Sequence, residues 1–327
     1  MNMSNLLFVI MLILSTIISM SSSNWMGIWM GMEMNLMSFI AIISKSKNLK
    51  SSKATMIYFL AQSLGSITLL FFILMSKFYM LNPAITNETL KSCIMTSLII
   101  KMGLPPFHWW YPMVMKNLMW TEALILMTWQ KLIPIFMISM MGHSNLLLMS
   151  IVLSSLVGAM GGMNYTSMMK IMAFSSINNM SWIMLMMIYQ TSWVSYFMIY
   201  SLIMMMSVMF FNKFNVYYLN QNMSSSSITE KLTLSSIMLS LGGLPPFLGF
   251  MPKWIAIQSI ISSESALILI FMVIMSLLTL FYYIRMMTPM FLFYTSMNKY
   301  IHKKSSYLMN MIMFSNLMLP LFLVFNF

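Results

Sequence analysis

Four charged side chains stand inside strongly apolar sequence: Glu33 in GIWMGMEMN, Lys101 at the end of SLIIK, Lys131 in LMTWQKLIP and Lys253 in FMPKW. A charge at the centre of an apolar helix costs roughly 2.5–3.5 kcal/mol on insertion-derived scales, so it needs a partner, a wet cavity or a function. Snorkelling to an interface accounts for Lys77 and Lys91. Lys131 is flanked by apolar sequence too deep on both sides for its stem to reach water, which favours a functional reading. The chemistry these groups offer is proton transfer: away from water an amine loses part of its preference for the charged form, and a carboxylate needs a nearby cation to stay ionised. A Glu/Lys pair is therefore bistable, and a charge moved nearby pushes a proton on or off. Glu33 is expected to face Lys101 within ion-pair reach. His108 is placed either to relay protons or to donate to a freed backbone carbonyl. Glu122 opens a helix, where a carboxylate complements the N-terminal dipole.

These residues must be held by transmembrane helices. The 327 residues are 60% apolar and 7% charged, with a mean hydropathy of +0.85, which excludes a soluble domain. The net charge of +12 does not signal nucleic acid, because the lysines lie in loops between apolar runs rather than along a face interleaved with aromatics. One cysteine, Cys93, excludes an intrachain disulfide or a Cys-ligated cluster, and neither GxGxxG nor a P-loop is present. The 49 methionines read as flexible apolar filler. The first apolar run has no basic n-region and no cleavage site, and is expected to be a retained helix.

Cutting at polar turns yields eleven segments: 6–20, 25–43, 55–80, 86–119, 122–141, 146–165, 171–189, 193–211, 232–261, 266–287 and 308–325. Loops after even-numbered segments carry Lys45, Lys47, Lys50, Lys53, Lys116, Lys170, Lys213, Lys231, Lys299, Lys303 and Lys304, with Arg285 at a helix end. That alternation predicts an N-terminus on the positive side and a C-terminus opposite. His143 and His302 fall in turns. Two segments are too long for simple spans, and the same pentapeptide interrupts both: Gly103-Leu104-Pro105-Pro106-Phe107 and Gly243-Leu244-Pro245-Pro246-Phe247. Tandem proline breaks a helix, and at bilayer depth freed carbonyls are tolerated only against protein or a wet cavity. The breaks fall in the fourth and ninth segments, so 6–141 and 146–287 read as five-helix repeats of opposite topology, with 308–325 as a C-terminal helix. The pairs Gly27/Gly31 and Gly158/Gly162 have the spacing of close helix packing.

The motifs WMGMEMN, KMGLPPFHWWYP, LMTWQKLIP and GGLPPFLGFMPKW, in this order, resemble the subunit 2 family of mitochondrial NADH dehydrogenase (respiratory complex I), which is antiporter-like (Mrp-type). The resemblance spans nearly the whole chain and implies an all-α polytopic fold in the mitochondrial inner membrane, shortened by three N-terminal helices relative to bacterial forms, with the N-terminus on the matrix side. It implies a proton path through Glu33, Lys101, Lys131 and Lys253. No cofactor or metal is expected on this chain; NADH, FMN, iron-sulfur clusters and ubiquinone would belong to partner subunits, including neighbouring antiporter-like ones. The methionine excess resembles that of an AT-rich mitochondrial genome. Two positions depart from the family pattern: Met113 follows Pro112 where an acidic residue is common, and Met56 stands where a basic one is. The alternatives are a free-standing cation/proton antiporter of the same fold and a non-conducting membrane spacer.

Overall fold

A bilayer offers no hydrogen bonds to the main chain, so apolar sequence of this kind folds into elements that pair their own backbone. The computed structural model describes residues 3–45, 48–78, 83–142, 144–189, 191–219, 221, 228–261, 266–292 and 307–317. Lys47, His143, Lys299, His302, Lys303 and Lys304 lie outside the described residues, as does the side chain of Lys77. Regular structure among the described residues is helical, apart from one antiparallel bridge between Ser167 and Tyr218.

The helices are α1 (Met3–Ser21), α2 (Trp25–Ser44), α3 (Leu49–Phe78), α4 (Pro83–Met102), α5 (Trp110–Asn117), α6 (Trp120–Met127), α7 (Trp129–Met141), α8 (Asn145–Met163), α9 (Met168–Ile188), α10 (Trp193–Phe214), α11 (Ile228–Gly242), α12 (Phe250–Ile261), α13 (Ala266–Leu292) and α14 (Tyr307–Asn316). Among the described residues seven spans are long and apolar enough to cross a bilayer: Trp25–Ser44, Leu49–Ser76, Trp120–Met141, Asn145–Met163, Met168–Ile188, Trp193–Phe214 and Ala266–Pro289. Among the described residues, joining α4 to α5, α6 to α7 and α11 to α12 leaves eleven segments, the number read from the sequence.

Two departures from the predicted segments have a clear physical reason. Helix α3 begins at Leu49 rather than residue 55, because Ser51 exchanges hydrogen bonds with Asn48 (2.7 and 3.2 Å) and the exposed Lys50 and Lys53 extend the helix past its apolar run. The fifth segment is interrupted at Thr128 (φ −115°, ψ −72°), whose hydroxyl donates to the Leu124 carbonyl at 2.8 Å. A hydroxyl bonding back one turn bends a helix with no glycine or proline in place. The last helix is described over Tyr307–Asn316, and the remainder of the predicted 308–325 lies outside the described residues beyond Leu317.

The chain divides into two compact units, Met1–Leu153 and Ser154–Phe327. In the first, α2 packs between α1 and α3, α3 packs against α4 and α5, and α7 packs against α4 and α6. Small residues permit the α1–α2 approach: a Cβ on Gly31 would meet Ser19 at 2.8 Å, as the Gly27/Gly31 spacing predicts. In the second unit α9 packs against α10, α12 and α13, and all its residues but Lys170 are buried. A Cβ on Gly158 would meet Asn178 of α9 at 2.8 Å, again close packing. Outward faces are apolar: Leu60, Leu64, Ile67, Phe71 and Leu74 form an exposed row along α3.

Candidate functional site

Each Gly-Leu-Pro-Pro break frees main-chain carbonyls, and the site is built around what satisfies them. Pro105 has no N–H to give to the carbonyl of Lys101, four residues earlier. The Gln62 carboxamide of α3 donates to that oxygen at 2.8 Å, and the Trp110 indole donates to the Ile100 carbonyl at 3.1 Å. Gly103 turns the chain at φ +67°, a conformation that disfavours other residues. Both Pro105-Pro106 and Pro245-Pro246 are cis.

With its own carbonyl held by Gln62, Lys101 sends its side chain between α2 and α3. Gly65 makes the room, since a Cβ there would meet Lys101 Cγ at 2.8 Å. The buried ammonium (6% exposed) lies 3.7 Å from Met32 Sδ, and the Glu33 carboxylate acts on it electrostatically. The expected direct ion pair between Glu33 and Lys101 is not formed: the amine is turned toward Met32, one position before Glu33, and Glu33 Oε1 is buried without a hydrogen-bond partner. Glu33 acts also on Tyr58 of α3.

Beside Lys101 is a cavity of about 20 Å³, walled by polar groups from four helices: Asn35 of α2, Tyr58 and Gln62 of α3, Lys101 of α4 and Gln130 of α7. That volume holds one water. The Tyr58 hydroxyl donates to Gln130 Oε1 at 3.0 Å, and Gln130 Nε2 donates to Asn35 Oδ1 at 2.7 Å. Lys131 follows directly, 2% exposed, with its ammonium over the Tyr111 ring at 4.7 Å from the centroid. A cation on an aromatic face keeps part of the stabilisation it loses with water.

In the second unit the break is satisfied by the lysine itself. Pro246 leaves the Gly242 carbonyl without a donor, and Lys253 Nζ, 7% exposed, donates to that oxygen at 2.7 Å. Gly243 (φ +75°) is what lets the stem pass, for a Cβ there would lie 2.6 Å from Lys253 Cδ. The buried helix α9 adds a polar stripe, with Asn179 accepting from the Tyr196 hydroxyl at 3.3 Å.

The remaining predicted residues fall outside these clusters. His108 stacks on Trp109 (5.4 Å between centroids), and its Nδ1 is buried without a hydrogen-bond partner, away from the Lys101 cavity. Glu122 accepts from the Met119 N–H at 3.1 Å, the helix-start role read from the sequence. Met56 and Met113 are exposed. Among the described residues no cluster of three or more His, Cys, Asp or Glu could hold a metal. Sequence reading did not single out Asn35, Tyr58, Gln62 or Gln130, yet each is a polar side chain within an apolar helix, and the carbonyl freed by Pro105 calls for a donor such as Gln62.

Residues 22–279 match the family model described as NADH:quinone oxidoreductase/Mrp antiporter, TM. The chain is 42% identical to NADH-ubiquinone oxidoreductase chain 2 of Anopheles gambiae, over 99% of this chain and 94% of that one. Its fold is that of a chain in respiratory complex I from Thermus thermophilus (TM-score 0.81, 18% identity, 99% of this chain and 78% of that one). It is also that of a chain in the Mrp complex from Dietzia (TM-score 0.77, 15% identity, 91% of this chain and 62% of that one). With buried lysines at two broken helices and a family match over most of its length, this multi-pass membrane chain belongs to the NADH:quinone oxidoreductase/Mrp antiporter transmembrane family.

Proposed function

We propose that this chain is a core membrane-arm subunit of a proton-pumping NADH:ubiquinone reductase and provides one of its proton pathways. The observation that carries the reading is the cluster in the first unit, where two buried lysines lie on or beside a proline-broken helix and a polar cavity opens next to one of them. A lysine in apolar surroundings, with a carboxylate acting on it and space for water alongside, can exchange a proton in response to a nearby charge. Glu33, Lys101 and Lys131 in the first unit and Lys253 in the second are the ionisable stations. Glu33 biases Lys101 through its field rather than by contact, which leaves the amine free to change partner. His108, stacked against Trp109, would serve as an accessory relay at most. The oxidation of NADH and reduction of ubiquinone would take place on partner subunits carrying FMN and iron-sulfur clusters, with none of these groups on this chain.

The same reading places the protein in the mitochondrial inner membrane with its N-terminus on the matrix side, where Lys50 and Lys53 are exposed at the start of α3. It makes 6–141 and 146–287 inverted repeats, supported by a positive-φ glycine followed by tandem proline at matched places, Gly103 and Gly243. Assembly separates it from a free-standing antiporter. In mild detergent the chain is expected to migrate on native gels in a large band that oxidises NADH. Migration alone or as a homodimer, away from that activity, would contradict the proposal.

A further inference from the structure

We propose that Gln130 is a positioning residue of the proton path: its carboxamide, held at both ends, fixes a water in the cavity beside Lys101 and sets the first turn of the helix that carries Lys131. The proposal rests on the proton-pathway reading above and assigns the residue that orders its centre.

Gln130 is tied into two other helices. Its oxygen accepts from Tyr58 of α3 at 3.0 Å and its nitrogen donates to Asn35 of α2 at 2.7 Å. A carboxamide bonded at both ends to two different helices is held in place between them. Its main chain is unusual as well. Residue 134 is proline, so the Gln130 carbonyl lacks the N–H that a helix normally presents four residues on, and both Gln130 and Pro134 line the cavity. A buried water needs two to four polar partners, and the wall offers the side chains of Asn35, Tyr58, Gln62, Gln130 and Lys101. The amide does not ionise near neutral pH, so it carries no net proton itself. It orients the water that exchanges a proton with the Lys101 amine. Because Lys131 is the next residue, the same two bonds restrain rotation of the turn that points its ammonium over Tyr111.

The test uses the assembled complex carrying this chain. Gln130→Leu removes both bonds at similar volume, Tyr58→Phe removes one with the ring kept, and Gln130→Glu retains an acceptor for Tyr58 while adding a carboxylate beside Lys101. NADH:ubiquinone turnover is measured against pH and in deuterated water, with Lys131→Arg in parallel. Gln130→Leu is expected to lower turnover about thirtyfold, the rate equivalent of two lost hydrogen bonds, and to raise the solvent isotope effect. Tyr58→Phe should move both in the same direction by less, and Gln130→Glu should displace the pH profile. A packing role would lower assembly without moving the isotope effect or the profile. Normal turnover and isotope effect in the Gln130→Leu complex, with Lys131→Arg impaired, overturns the role of Gln130 and leaves the pathway standing. Normal behaviour of Lys131→Arg overturns the pathway and this proposal with it. If Gln130→Leu does not assemble, Tyr58→Phe decides, and an unchanged isotope effect there overturns the proposal.

Discussion

Lys101 and Lys253 differ in how their ammonium groups are engaged, and the difference originates in two carbonyl oxygens. At the first break the carbonyls go to Gln62 and Trp110, so the Lys101 amine is left with a weak sulfur neighbour and the field of Glu33. At the second break Lys253 is itself the donor to Gly242. A lysine that caps a helix C-terminus gains from its charged form, since the last carbonyls carry partial negative charge. Lys101 is therefore the freer of the two amines and Lys253 the more firmly held. Gln62 follows from sequence once one asks which donor answers the carbonyl freed by Pro105, but hydropathy alone treats it as one polar residue in an apolar run. The positions of Glu33, Lys101, Lys131 and Lys253 were legible because charge within apolar sequence is conspicuous. The partner of Lys101 was not, because side-chain direction between helices depends on packing, here on the absence of a Cβ at Gly65. Gln62→Leu leaves the Lys101 carbonyl buried and unpaired, and should cost about 1–3 kcal/mol. Thermal denaturation of the purified complex, or the steady-state level of this subunit, would register that loss. Unchanged values would mean that another donor takes over.

At the scale of elements, the broken helices are the feature that neither apolar periodicity nor length alone would produce. Gly103 and Gly243 turn the chain at φ +67° and +75°, and in both cases an added Cβ meets a side chain of the site: Tyr111 Cβ at 2.9 Å and Lys253 Cδ at 2.6 Å. Gly142 has a similar φ of +73° with nothing within 4 Å of the added atom. The three alanine substitutions thus separate backbone strain from crowding. Gly142→Ala should cost about 1–3 kcal/mol from its backbone alone, since φ +73° with ψ −163° is a conformation that essentially only glycine adopts. Gly243→Ala should cost more and also lower turnover, because the methyl displaces Lys253 from the Gly242 carbonyl. Thermal stability and NADH:ubiquinone activity measured together would test this, and a Gly243→Ala complex no worse than Gly142→Ala would remove the fit between Gly243 and Lys253. Both proline breaks were visible in the sequence because proline acts through covalent structure. The interruption at Thr128 was not, because it arises from one hydroxyl bonding back to Leu124 and from the packing that favours it.

For the molecule as a whole, the helical segments among the described residues were legible because apolar length and polar turns set their bounds, while the alternation of lysine-bearing loops gives an expected orientation. What those signals leave undetermined is the interior: α9 is buried almost throughout, and its sequence is no more apolar than that of lipid-facing helices. Methionine, serine and asparagine occur in both settings, so composition does not distinguish a central helix from a peripheral one. The orientation has its own check. A membrane-impermeant amine reagent should label Lys50 and Lys53, exposed at the start of α3, in inside-out inner-membrane vesicles and spare them in right-side-out mitoplasts. The reverse pattern would invert the topology. The central claim, that buried lysines of this chain pass protons, is tested most directly at Lys131. Arginine keeps the positive charge but does not give up its proton at any accessible pH, whereas lysine can. The measurement is proton pumping by reconstituted complexes carrying Lys131→Arg and Lys131→Ala, each verified as fully assembled. Both are expected to pump poorly, with NADH:quinone turnover reduced about tenfold, equivalent to about 1.4 kcal/mol added to the activation barrier. Normal pumping by the assembled Lys131→Arg complex would contradict the central claim and take Lys131 out of the path.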